Sequence, residues 1–330
     1  MLQGKQLRQV QNVTDAIFKH VDSKKWCCMA EGCHETSINS HLLMRNGILN
    51  YVAENGKVVE LRAKAIEAIK KGDNALFFKE VGITQAISLP IFCKLHDTTL
   101  FKEIESGDVD YNNYRHVALY CYRAICAAGR KKEKDRERDS RLLKSNILKE
   151  LAPYYLSYLS TKEYPTELAL GDLDYYKSEL IHDLNTGRES FSFFRTLLPV
   201  RGIYASTVSS MFMSGEEAMT PSVANILFVH LIPVKEGTML IVGYHKEHES
   251  PNYNMYIDSW KRYDKSKIGS KLTGILVQSE NWGISPSLYA QLYQDRIEDF
   301  LQMYKEEIYS FSQSTYEEID LFQGVTFNLE

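Results

Sequence analysis

Two short segments that contain cysteine and histidine constrain the fold of this chain more than any other feature. The first half-site is Cys28-x4-Cys33, and the second, sixty residues further along, is Cys93-x2-His96. Thiolate and imidazole are the ligands that tetrahedral Zn²⁺ prefers, at distances of about 2.0–2.3 Å. The two half-sites therefore predict one structural zinc site with Cys28, Cys33, Cys93 and His96 as its ligands. Cys27, which precedes Cys28, is the alternative ligand at that position.

Composition narrows the class of protein. A chain of 330 residues predicts more than one domain. A formal net charge of −4 excludes a polycation, so any binding of DNA or RNA would need a local basic patch. There is no run of 18 apolar residues and no apolar signal peptide, so we expect a cytoplasmic protein outside the membrane. In that reducing compartment the six cysteines favour metal binding over disulfides.

The spacing of apolar residues predicts an α+β protein in three parts. Residues 1–110 form a zinc-binding module that begins with a helix over 3–22 and includes a β-hairpin turn at Asn55-Gly56. Residues 111–200 are predicted to be mainly helical. Residues 201–330 are predicted to form an antiparallel sheet with helices, a candidate sensor or partner-binding domain.

Individual elements of the later segments follow from the same patterns. Two strands, 226–232 and 239–244, are predicted to pair through a tight turn, and Leu272–Val277 is predicted to be a further strand. A closing helix is predicted from Pro286 to Tyr309, since proline suits the first turn of a helix. Glu163-Tyr164-Pro165 is predicted to interrupt the long helical region.

A dense charge run over residues 130–141 contains seven basic and four acidic side chains. It predicts a solvated helix stabilised by ion pairs between residues four apart. The alternative is a helix face that binds the phosphates of a nucleic-acid backbone. The chain has no Gly-x-Ser-x-Gly segment and no glycine-rich phosphate loop, so the Cys/His half-sites remain the main indication of chemistry.

The order of features around the half-sites indicates a particular zinc module. Gly32 lies between two close cysteines, as in a zinc knuckle, a hairpin follows, and Cys93-x2-His96 has the spacing of a turn that enters a helix. A knuckle, a hairpin and a ligand pair at a helix start are the layout of a treble-clef module. Residues 25–105 resemble the HNH, or ββα-metal, nuclease group. The segment is also similar to a group of uncharacterised bacterial proteins with a Ser-His dipeptide and a Phe-Cys-x-x-His-Asp segment.

The resemblance implies a function and two catalytic residues. His41 matches the general base of the HNH group, and Asp97 matches the residue that holds a catalytic Mg²⁺ or Mn²⁺ ion beside the structural zinc. The implied activity is metal-dependent cleavage of phosphodiesters in DNA or RNA. The proteins in which such modules occur imply a role in defence against phage DNA. The C-terminal domain would then sense a trigger, bind a protein partner or form a homo-oligomer.

A second class of function fits the same half-sites. Ser40 stands where the HNH group places an acidic residue or a second histidine, and serine is a poor ligand for Mg²⁺. Together with the acidic net charge, this favours a non-enzymatic, zinc-stabilised adaptor or regulator that binds protein or nucleic acid. The two interpretations differ in one structural expectation. A nuclease needs His41 and Asp97 on an open surface beside the zinc, whereas side chains that are buried and hydrogen-bonded to the backbone would favour an adaptor.

Overall fold

The computed structural model describes residues 4–44, 47–63, 76–105, 109–209, 223–309 and 319–327. These residues form an α+β structure, which confirms the predicted fold class. Within the described ranges, the helices are all too short or too polar to cross a membrane.

The described strands form two antiparallel sheets. The strands are β1 (Asn39–His41), β2 (Lys57–Ala63), β3 (Leu76–Gly82), β4 (Ser88–Pro90), β5 (Phe191–Leu198), β6 (Ile203–Ser209), β7 (Leu227–Val234), β8 (Gly237–His245) and β9 (Trp282–Ile284). β1 and β4 pair as a two-stranded sheet. The others form one seven-stranded sheet in the order β3-β2-β9-β6-β7-β8-β5.

Helices surround this sheet. They are α1 (Gly4–Ser23), α2 (Lys94–Leu100), α3 (Lys102–Glu105), α4 (Tyr114–Lys144), α5 (Asn146–Leu151), α6 (Pro153–Ser160), α7 (Glu163–Thr186), α8 (Pro251–Lys261), α9 (Ile268–Val277), α10 (Pro286–Tyr289) and α11 (Gln294–Tyr309). The longest of these, α4, packs against α1, α7 and the sheet.

The large sheet has an apolar core on each face. Successive side chains of a strand point to opposite faces, so Phe228 packs with α4 and α7, whereas Leu227 and Val229 pack with α8, α9 and α11. The strands therefore carry continuous apolar runs, because both faces are buried. The residues of β7 illustrate this pattern, since nearly the whole strand is buried.

The seven-stranded sheet takes strands from all three predicted segments of the chain. β2 and β3 come from residues 1–110 and β5 from residues 111–200, and β6 to β9 complete the sheet. The short strand β9 joins the parts, since Gly283 pairs with Glu60 on one side and with Tyr204 on the other. Hydrogen bonds thus connect the predicted zinc-binding module directly to the C-terminal sheet.

A buried carboxylate strengthens this junction and extends it toward the second half-site. Glu60 Oε1 accepts hydrogen bonds from the Tyr204 hydroxyl and from the Ile87 backbone N–H, each at 2.8 Å. Burial raises the pKa of Glu60, and Arg62 and the two donors oppose that effect. Ile87 directly precedes β4, which leads into Cys93. The network therefore holds the start of β4, the strand that precedes the metal-ligand candidate Cys93.

We expect Gly283→Ala to destabilise the protein by about 1–3 kcal/mol, because a Cβ atom there would overlap the Tyr204 hydroxyl. Gly171→Ala, in the exposed middle of α7, meets no neighbouring atom and should stabilise the protein by about 0.5–1 kcal/mol. Urea unfolding of both variants measures the contrast. A Gly283 variant as stable as the wild type would contradict the close crossing of Tyr204 over β9.

Several predicted elements are confirmed. The helix near the N-terminus, the long helical region and the β7–β8 hairpin all occur. Asn55 and Gly56 have φ angles of 50° and 71°, as a type I′ turn requires. The hairpin at that turn is limited to one bridge, between Glu54 and Lys57, because β2 pairs with β3 instead.

Three predictions of secondary structure are wrong. Leu272–Val277 belongs to helix α9, and its Leu272, Ile275, Leu276 and Val277 are buried in the second core. Glu163-Tyr164-Pro165 begins α7 rather than interrupting a helix, since Pro165 falls in the first turn, where its missing N–H is not needed. The closing helix is divided into α10 and α11.

Candidate metal centre

The first half-site is a tight knuckle between α1 and β1. The Cys28 N–H donates to the Glu35 carbonyl at 2.8 Å, and the Cys33 N–H donates to the Ala30 carbonyl at 3.1 Å. Gly32, at the tip of the knuckle, has a φ of 68°, which glycine adopts at little cost. These bonds turn the chain back on itself and bring the two cysteine side chains to the same side.

The second half-site is the start of α2. Cys93 is the N-cap residue of this helix, and the Asp97 N–H donates to its carbonyl at 2.9 Å. His96 therefore lies in the first turn, on the same end of the helix as Cys93. A pair with this spacing can direct a sulfur and a ring nitrogen toward one point.

Backbone pairing brings the half-sites together. β1 and β4 pair with Asn39 opposite Pro90. Beyond that ladder, the Ile38 N–H donates to the Phe92 carbonyl at 2.8 Å, and the Met29 N–H donates to the Ile91 carbonyl at 2.9 Å. The segment that ends at Cys93 thus runs alongside the knuckle. The two half-sites are therefore close in space although fifty-nine residues lie between Cys33 and Cys93 in the chain.

The ligand atoms of Cys28, Cys33, Cys93 and His96, hereafter the Cys3His cluster, all lie within 4.8 Å of one another. Cys33 Sγ is 3.9 Å from Cys93 Sγ, and His96 Nδ1 is 3.3 Å from Cys93 Sγ and 3.5 Å from Cys28 Sγ. A tetrahedral zinc site with normal bond lengths has ligand-to-ligand distances of about 3.5–3.8 Å. The cluster could therefore hold a metal ion such as zinc.

Burial and hydrogen bonding shift the pKa values of Cys28 and Cys93 in opposite directions. The backbone N–H of His96 at the start of α2 lowers the pKa of Cys93, which favours the thiolate that binds metal. Burial raises the pKa of Cys28 to about 11. A metal ion would therefore have to displace a proton from Cys28, as is usual when thiols become ligands.

The structure distinguishes Cys28 from its neighbour. Cys27 forms an isolated antiparallel bridge with Thr36, and adjacent side chains in extended backbone point in opposite directions. Cys28 accordingly points into the cluster, whereas Cys27 is exposed. The Cys27 carbonyl accepts a hydrogen bond from Arg130 of α4, whose guanidinium lies 4.9 Å from the centre of the Trp26 ring. Arg130, which the sequence placed only in the solvated charge run, thus anchors the knuckle to the central helix.

The two predicted catalytic residues lie outside the cluster. His41 ends β1, opposite Ser88, and its Nε2 lies 3.1 Å from the Ile83 carbonyl oxygen. Ser40 is fully buried, and its hydroxyl accepts a hydrogen bond from the Phe92 N–H at 3.3 Å. Asp97 is half-buried in α2, and its Oδ1 atom is buried without a hydrogen-bond partner among the described residues.

The remaining candidate groups are structural. Cys121 and Cys126 are fully buried in the first core, and burial lowers the pKa of His230 to about 3. The basic residues of the charge run in α4 form ion pairs with carboxylates of α1, α7, α4 itself and Glu280. They are Arg130, Lys131, Lys134, Arg136, Arg138 and Arg141. The pairs of Arg130 and Arg141 lie within α4, and the other four residues join α4 to its neighbours.

Comparison of the chain with known protein families, with curated proteins and with solved structures finds no match. What is established about the site is therefore its geometry. Three cysteines and one histidine from two distant segments converge on one point, in an arrangement that could bind a single metal ion.

Proposed function

We propose that the chain binds one structural Zn²⁺ ion through the Cys3His cluster. The observation that carries this proposal is the convergence of four ligand atoms within 4.8 Å. Four protein ligands complete a tetrahedral site and leave no position for water or substrate, which distinguishes structural from catalytic zinc. Cysteine sulfur in three of the four positions favours Zn²⁺ over Mg²⁺ or Ca²⁺, which take oxygen ligands.

The proposed ion would join the knuckle to α2 in a treble-clef module. The order of a knuckle, the β1–β4 pair and a ligand pair in the first turn of a helix supports this assignment. The module has β2 and β3 inserted between β1 and β4, and those two strands belong to the large sheet. Zinc would thus stabilise a small unit at one end of a larger fold.

We infer that this unit serves a non-enzymatic adaptor or regulator. A carbonyl oxygen only accepts hydrogen bonds, so Nε2 of His41 carries the proton in its bond with Ile83 and only Nδ1 remains as a basic nitrogen. The buried Ser40 hydroxyl is held by the backbone, which removes it from metal binding. The backbone hydrogen bond of His41 and the buried, backbone-bonded Ser40 support the adaptor interpretation.

The partner that we favour is a protein. Ile38, beside β1, is 42% exposed and Leu95, between two ligands, is 66% exposed, so apolar side chains flank the proposed zinc site. The ion pairs of α4 neutralise the charge run that would otherwise attract phosphates. A reducing compartment such as the cytoplasm would keep the cysteines available as ligands.

The test of the zinc proposal is the metal content of the purified, reduced chain, measured by native mass spectrometry and elemental analysis. We expect one Zn²⁺ per chain, retained through gel filtration and removed by a strong chelator under denaturing conditions. A chain that remains metal-free after exposure to stoichiometric Zn²⁺ would exclude the proposal.

Metal-dependent nuclease activity is the second candidate, and one observation favours it. The buried Oδ1 of Asp97, which has no hydrogen-bond partner among the described residues, lies one helical turn after Cys93 and could accept a hard cation. For the adaptor, we expect no cleavage of plasmid DNA or of RNA above background with Mg²⁺ or Mn²⁺. Cleavage that falls about 10²–10⁴-fold in His41→Ala, with zinc content unchanged, would establish the nuclease instead.

A further inference from the structure

The sulfur atoms of the Cys3His cluster differ in their access to solvent. Cys28 and Cys93 are 7% and 5% exposed, whereas Cys33 is only partly buried at the exposed tip of the knuckle, beside Gly32. A zinc-bound thiolate remains a nucleophile, and its oxidation depends on thiolate character and exposure. Cys33 is therefore the ligand that a small oxidant in solution reaches first.

The sulfur of Cys93 lies close enough to Cys33 to react with it after a small movement. Their Sγ atoms are 3.9 Å apart, and a disulfide requires about 2.05 Å, so the two must approach by about 2 Å. Cys33 lies next to the tip of a turn, whereas Cys93 is fixed as the N-cap of α2. The knuckle tip is the part that would move. Cys27, although exposed, points away from the cluster.

We propose that Cys33 and Cys93 form an oxidation-sensitive pair whose conversion to a disulfide releases the metal ion. This inference rests on the proposed zinc site. Hydrogen peroxide is the oxidant class: the Cys33 thiolate attacks one peroxide oxygen to give a sulfenic acid and hydroxide, and the Cys93 thiolate then attacks the Cys33 sulfur and displaces a second hydroxide. Two thiolates lose two electrons in total. The peroxide takes up those electrons and two protons to become two waters.

The consequence for the ion follows from ligand number. After oxidation only Cys28 and His96 of the cluster remain as ligands, which is too few for a stable structural zinc site. The ion would leave, and α2 would lose its metal-mediated connection to the knuckle. A thiol reductant would restore both thiolates and the capacity to bind zinc.

The experiment uses the full, zinc-loaded chain, titrated with hydrogen peroxide in the presence of a chromogenic zinc indicator. We expect one Zn²⁺ released for each two thiols lost, and a peptide map in which the peptide of Cys33 is disulfide-linked to that of Cys93. Dithiothreitol should then restore zinc binding. The Cys27→Ser variant, titrated in the same way, should release zinc identically, because Cys27 is outside the cluster.

A second variant separates oxidation from simple zinc loss. Cys33→His keeps four ligands but cannot form the disulfide, so we expect zinc to bind and its release by peroxide to slow by about tenfold or more. If this variant binds no zinc, the peptide map of the oxidised wild type tests the Cys33–Cys93 disulfide by itself. Retention of zinc under peroxide, or a disulfide between other cysteines, would overturn the proposal. A chain that carries no zinc before oxidation would instead contradict the proposed function.

Discussion

Replacing Cys93 with serine is expected to abolish zinc binding and to destabilise the unit formed by the knuckle and α2. Serine is nearly the same size but is a poor zinc ligand, and Cys93 contacts both Cys33 and His96 in the cluster. Zinc binding by small structural sites contributes about 10–16 kcal/mol at pH 7, so loss of the ion exceeds the effect of an ordinary core substitution. Elemental analysis gives the zinc content, and thermal unfolding gives the stability.

Cys27→Ser is the matched control for this experiment. It makes the same chemical change one residue before Cys28, at an exposed side chain outside the cluster. We expect full zinc content and a change in the free energy of unfolding of at most about 0.5 kcal/mol. Full zinc content in Cys93→Ser, or loss of zinc in Cys27→Ser, would show that the cluster is not the binding site.

The second large effect is expected far from the metal centre, at Asp183 of α7. This residue is 2% exposed and its carboxylate accepts hydrogen bonds from the Tyr114 hydroxyl, from Arg188 Nε at 2.8 Å, and from both the backbone N–H and the hydroxyl of Ser190. It thereby joins α7 to α4 and to the start of β5. Asp183→Ala would remove the shared acceptor of these donors at a buried position and should cost about 1.5–3 kcal/mol.

Asp174→Ala, nine residues earlier in α7, provides the comparison. Its side chain is 69% exposed and forms a surface ion pair with Lys177, so we expect a change in stability of at most about 0.5 kcal/mol. Denaturant unfolding of both variants measures the difference. Similar stability of the two variants would contradict the role of Asp183 as the junction between helices and sheet.

The pH dependence of unfolding offers an independent measurement of the same junction. Burial alone raises the pKa of Asp183, but the hydrogen bonds from Ser190, Tyr114 and Arg188 outweigh it and hold the pKa below 3.8. A pKa lowered by folding contributes stability above the unfolded value of about 3.8, and this contribution is lost as the pH falls through the folded pKa. We therefore expect the gap in stability between wild type and Asp183→Ala to narrow below pH 4.

The metal-ligand candidates were predictable from sequence because their spacing alone restricts the local geometry. Cysteines separated by four residues that include a glycine form a knuckle, and a Cys-x2-His pair fits one turn of helix. The choice between Cys27 and Cys28 needed the structure, since it depends on the bridge to Thr36. The hydrogen bond of His41 also became evident only from the structure, because its partner Ile83 lies forty-two residues away in the sequence.

The errors in secondary structure have a common physical origin. Leu272–Val277 is a short apolar run, and a helix enclosed on all sides shows no amphipathic period that separates it from a buried strand. The extent of the large sheet could not be predicted from the sequence either, because β9 is only three residues long and pairs with strands that are distant in sequence. Local patterns do not encode such pairings.

The position of β9 between β2 and β6 has a consequence for synthesis of the chain on the ribosome. Some 220 residues separate the pairing partners Glu60 and Gly283, an interval that translation covers in about 10–45 s. Throughout that time the edge of β2 that later meets β9 exposes unpaired N–H and carbonyl groups, which attract other extended chains. We expect nascent chains that stop before residue 282 to depend on chaperones more strongly than the finished protein.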